Sequence, residues 1–151
     1  MGCARDERLH QHRQEGVRRG LALCLAAAAL AGCNGGTVDK HALKRDAEKV
    51  GSLATEGELL ANDMSKGAST KYFARVHAKE LSRAASNLAD ALAERPISPG
   101  IEAHVHKLSR LAAKVSSQLE QLHLHPTNRA IAKAMRQPLS ADADAADRLS
   151  K

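Results

Sequence analysis

Histidine is the side chain best placed to do chemistry here: eight occur, and six lie beyond residue 33. His104-x-His106 and His123-x-His125 are i,i+2 pairs, which leave a helix on different sides. On one helix the two pairs are about 28 Å apart, too far to share a metal ion. Antiparallel folding regroups them. His41, His104 and His106 come to one end of a bundle, and His77, His123 and His125 to the other. Either trio has the ligand chemistry for zinc, copper or nickel. Exposed histidines near helix ends are the plainer reading, so no metal ligand is assigned.

Other catalytic patterns are missing. There is no HExxH, CxxC, GxSxG, GxGxxG or phosphate-binding GxxxxGK, and no Ser-x-x-Lys pair. Asp142-Ala143-Asp144-Ala145-Ala146-Asp147 has the look of a calcium loop, but lacks the glycine at the sixth place and the glutamate at the twelfth. Acidic residues opening a helix account for it better. No catalytic residue is assigned, no cofactor is expected, and the chain is expected not to be an enzyme.

The elements that would position these side chains must fit 151 residues, the length of one domain. Of 23 Lys+Arg and 17 Asp+Glu, five and three fall within residues 1–33, so 18 and 14 remain beyond them, a balance of +4. That describes a mildly basic, solvated surface. No run of five like charges occurs, and a nucleic-acid tail is not indicated.

The segment before residue 34 reads differently. Arg18-Arg19 precedes a continuous apolar run, Leu21 to Leu30. As a helix this run rises about 15 Å, half the roughly 30 Å of a bilayer core. It is too short to span and matches the apolar region of a signal peptide behind a cationic start. Gly32-Cys33-Asn34-Gly35-Gly36 would end any helix there. Leu30-Ala31-Gly32-Cys33 resembles the lipobox of a bacterial lipoprotein: a branched aliphatic, two small residues and the acceptor cysteine. The resemblance covers about residues 17–33. It implies that the Cys33 thiol is diacylglycerylated, that residues 1–32 are removed as a signal peptide, and that palmitate-type chains hold the protein in membrane lipid. In lipoproteins of double-membrane bacteria, Asp after the cysteine favours the inner membrane. Asn34 stands there, which implies the outer membrane if the host has two.

Residues 1–16 (MGCARDERLHQHRQEG) are long and polar for such a start. Reading Val17 as the true initiator would give a compact Met-Arg-Arg-Gly opening. Asp6 stands where an N-myristoylation signal at Gly2 needs Ser or Thr. Of Cys3, Cys24 and Cys33, only Cys33 survives the implied cleavage, and acylation leaves it no free thiol.

Residues 33–37 then form a lipidated cysteine and tether, followed by a helical bundle over 38–137. The first helix is expected over about 38–65, with Leu43, Ala47, Val50, Ala54, Gly57, Ala61 and Met64 spaced 4-3-4-3-4-3. Its small residues imply close approach of a neighbour, and Gly67 marks the stop. The second is expected over 71–94, capped by Ser69 or Thr70 and ended by Pro96. Ser98-Pro99 should open the third, about 99–123, whose stripe is Ile101, Val105, Leu108, Ala112, Val115, Leu119 and Leu122. Pro126 is expected to stop it and to open a fourth, shorter helix to Arg136, with Pro138 breaking again and 138–151 a short helix or disordered tail. No stretch alternates with period two.

These readings predict an all-α, antiparallel three- to four-helix bundle. Its function is expected to be that of a membrane-anchored envelope lipoprotein: a non-catalytic helical interaction or structural module. A His-based metal-binding envelope protein is the alternative. Expected partners are membrane lipid through the acylated cysteine, an envelope protein and a second copy, with no nucleic acid. Tyr72 and Phe73, the only aromatic residues, fall near the Met64–Thr70 loop at the end far from the cysteine. Adjacent helical residues point about 100° apart, so at least one ring is difficult to bury. That end is the expected partner-binding end.

Overall fold

A computed structural model describes residues 36–151. Four helices account for most of them: α1 Lys40–Lys66, α2 Lys71–Glu94, α3 Glu102–Leu124 and α4 Arg129–Ser150. The protein is an all-α antiparallel bundle, and no strand forms among the described residues. One isolated parallel bridge joins Val38 to Ile97, with Val38 N–H donating to the Pro96 carbonyl at 2.8 Å and Ser98 N–H to the Val38 carbonyl at 3.0 Å. Short links turn the chain up, down, up and down. α1 packs chiefly along α4, and α2 along α3.

The heptad rows are the core. All seven residues of the α1 row and all seven of the α3 row are buried, with Val50, Val105, Leu108, Val115, Leu119 and Leu122 fully so. Fully burying one such side chain contributes roughly 1.5–3 kcal/mol. α2 turns Ala74, Ala78, Leu81, Ala85, Ala89 and Leu92 inward. Its alanines let α3 approach closely enough for serine hydroxyls to bond across the seam. Ser116 Oγ donates to the Ser82 carbonyl at 3.0 Å and Ser109 Oγ to the Ala89 carbonyl at 3.0 Å.

Local chemistry sets the helix ends. Asp39 caps α1, its Oδ1 accepting from Ala42 N–H at 2.7 Å. Gly67 closes it in the left-handed region at φ 70°, with Ala68 N–H donating to the Asp63 carbonyl. Thr70 caps α2 through Phe73 N–H at 3.2 Å. Arg95, held extended before Pro96, ends it.

α3 begins later than its Ser98-Pro99 pair suggests. Gly100 adopts φ 88°, so Pro99-Gly100 form a turn, and the helix starts at Glu102, whose Oε2 accepts from Gly100 N–H at 2.9 Å.

The last segment departs most from expectation. Neither a break at Pro138 nor a separate tail over 138–151 occurs: α4 runs through Pro138 to Ser150. A proline in a helix interior costs about 3 kcal/mol. Opposing it, Ala132, Leu139 and Ala146 are completely buried and Asp142 nearly so, with Met135 and Leu149 packed on the core. Positions 132, 135, 139, 142, 146 and 149 are spaced 3-4-3-4-3, so one stripe continues across the proline and its burial outweighs the lost bond. The acidic residues at 142–147 therefore lie inside a helix and do not open one.

Two glycines of α1 predict opposite outcomes. A Cβ at Gly51 would meet Ala146 Cβ at 3.6 Å and the Ala143 carbonyl at 3.8 Å, ordinary contacts. Gly51→Ala should stabilise by up to about 1 kcal/mol through helix propensity. A Cβ at Gly57 would lie 2.5 Å from Leu119 Cδ2 and 3.4 Å from both Leu139 methyls. Overpacking costs typically 1–3 kcal/mol, so Gly57→Ala should lower stability despite the same propensity gain. Denaturant midpoints that moved together would contradict this packing.

Candidate functional site

Cys33 and the Leu30-Ala31-Gly32-Cys33 tetrapeptide lie outside the described residues, as do residues 1–35 altogether. Among the described residues, chemistry-bearing side chains occur in four places.

The histidines do not assemble. His41, His104, His106 and His125 are exposed. His77 Nε2 lies 3.0 Å from Glu56 Oε1 on α1, and its ring stacks on Phe73 with centroids 5.1 Å apart. His123 Nδ1 is 2.9 Å from the Arg75 carbonyl; a carbonyl only accepts, so Nδ1–H is the donor. No group of three His, Cys, Asp or Glu residues among the described residues is arranged to hold a metal ion. Calorimetric titration of the full chain with Zn²⁺ should show no tight single-equivalent binding. Submicromolar binding abolished by His104→Ala would contradict that.

Two buried carboxylates stitch helices together. Asp46 on α1 accepts from Arg95 Nη1 at 3.1 Å and Lys49 Nζ at 3.3 Å, beside the Val38–Ile97 bridge that ties the same two segments. Asp142 on α4 accepts from Lys114 Nζ at 2.7 Å and Gln118 Nε2 at 2.8 Å, both on α3. Gln118 Oε1 is buried without a partner. Asp142→Ala would strand the Gln118 amide as well, at a cost of about 1–3 kcal/mol. Replacing Asp142 and Gln118 together by leucine should recover most of that loss. A double variant no more stable than the single would show that the pair is not the cause. Sequence reading missed both carboxylates. The available signal for Asp142 was its place in the 132–149 stripe.

A shallow groove of about 600 Å³ runs between α1 and α4. Ala47, Gly51 and Ala143 floor it, and Glu48, Glu56, Asp144 and Asp147 supply carboxylates. Asp147 is already paired with Lys151 at 2.5 Å and Glu56 with His77. At the start of α1, the Ala42 N–H bond, aided by His41 and Arg45, holds the Asp39 carboxyl below its ordinary pKa. This is an N-cap anion stabilised by its helix.

The fourth place is the first turn of α2. Tyr72 is 80% exposed, Phe73 55% and Val76 42%. Tyr72 stands in solvent and Phe73 lies exposed against the His77 ring, so neither caps the core. No helix among the described residues is long and apolar enough to cross a membrane. No protein-family model, curated protein or solved structure matches this chain.

Proposed function

We propose that this chain is a membrane-anchored envelope lipoprotein whose helical bundle acts as a non-catalytic interaction or structural module. In this reading Cys33 carries the lipid, residues 1–32 are the removed signal peptide, and the bundle is held at the cell envelope, at the outer membrane of a two-membrane host. The observation that carries it is Leu30-Ala31-Gly32-Cys33 behind Arg18-Arg19 and a ten-residue apolar run. Two further features support it. The bundle's first core residue, Val38, is completely buried and follows the cysteine closely: four residues span at most about 14 Å, so the tether keeps the bundle near the headgroups. Outside the first turn of α2, the exposed apolar side chains Leu59 and Leu124 offer an envelope protein, or a second copy, contact area. Cell fractionation tests the reading. The protein should pellet with membranes and be released by detergent but not by high salt. Native protein recovered from the soluble fraction would contradict it.

A further inference from the structure

We propose that the outward face of the first half of α2 docks on the surface of an anionic phospholipid bilayer. Three of the five exposed large hydrophobic residues, Tyr72, Phe73 and Val76, fall within little more than one helical turn. They point away from the buried stripe of Ala74, Ala78 and Ala85. At about 100° per residue, Tyr72, Val76 and Lys79 share a 60° arc, with Arg75 on one flank and Phe73 on the other. Lys71, Arg75 and Lys79 are all exposed, and the helix's positive end lies at Lys71. The nearest carboxylate on this helix, Glu80, is 3.6 Å from Arg83 and so partly neutralised.

Apolar and aromatic side chains set among free cations are the composition of a bilayer interface. The rings enter the headgroup region while Lys and Arg meet anionic lipid. A protein partner fits less well, because lysine is depleted from protein–protein interfaces, whereas two of these three cations are lysines. The inference needs only the described face of α2 and no acylation of Cys33, so it and the lipoprotein reading fail separately.

The test uses the full chain carrying Cys33→Ser, which cannot be acylated, sedimented with vesicles of mixed phosphatidylglycerol and phosphatidylcholine or of phosphatidylcholine alone. Binding should favour the anionic vesicles and weaken with salt. Arg75→Gln/Lys79→Gln should weaken it about 30-fold, each cation being worth about fivefold. Tyr72→Ala should weaken it independently. Lys107→Gln/Arg110→Gln, which removes equally exposed cations from α3, should leave it unchanged. All these side chains are exposed, and circular dichroism of each variant should match the parent. Equal behaviour of the two double variants would overturn the proposal, assigning any vesicle binding to general charge or to residues 21–30. So would parent protein that ignores anionic vesicles but is retained on immobilised polyglutamate, which would assign the face to an acidic protein.

Discussion

Leu108→Asp should destabilise the bundle by about 4 kcal/mol or more, a large share of the stability of a domain this size. Leu108 is completely buried at the centre of the α3 row, between Val105 and Ala112, which are buried to the same degree. A carboxylate there loses its hydration and finds no cation, and the removed leucine leaves its neighbours without contact. Losses above 4 kcal/mol are exceptional and arise from such burial, while a whole domain is stable by only about 5–15 kcal/mol. Val115→Asp should behave alike. Lys107→Asp, one position away and exposed, should change stability by no more than about 0.5 kcal/mol. Denaturant unfolding of the three variants checks the α3 register directly. Comparable losses from Lys107→Asp and Leu108→Asp would contradict it.

Cys33→Ser should abolish palmitate labelling and stop maturation, so that uncut precursor accumulates. Each buried methylene of an acyl chain contributes about 0.8 kcal/mol to membrane attachment, and one chain alone holds only marginally. Two or three chains on Cys33 would make attachment effectively permanent, whereas the serine hydroxyl offers no thiol to acylate. The effect is qualitative, an anchor present or absent. Cys24→Ser, within the same apolar run, should leave labelling intact. Labelling that survives Cys33→Ser would move the acceptor elsewhere and remove the basis of the proposed function.

How much of the fold was legible follows from where the chain's signals agree. In α1 and α3 only aliphatic, Ala, Gly and Met residues occupy the heptad rows, so period and burial coincide at every position. The bounds of α2 were readable because Thr70 accepts a bond at one end and Pro96 forbids helix at the other. Two signals conflict in α4. Pro138 lacks the donor a helix needs and Asp142 puts a charge on the apolar stripe, yet the stripe continues because tertiary burial outweighs a local penalty. Pairings between helices were not legible. Glu56 with His77 and Asp46 with Arg95 depend on which helices become neighbours, and equal heptads do not encode that. The same gap left the histidines grouped by end of bundle alone, when their side chains in fact go to separate partners or to solvent. The exposure of Tyr72 and Phe73 was half legible: their adjacency forbids burying both in a narrow seam, but that both stay out depends on the neighbours. The lipobox-like stretch is local, and its meaning rests on residue order alone.

The most direct test of the central claim is the intact mass of the native protein extracted from membranes with detergent. The account predicts a chain beginning at Cys33 whose mass exceeds that of residues 33–151 by a diacylglyceryl group, with or without a further acyl chain on the amino group. An unmodified mass, or a chain that still contains residues before Cys33, would contradict it.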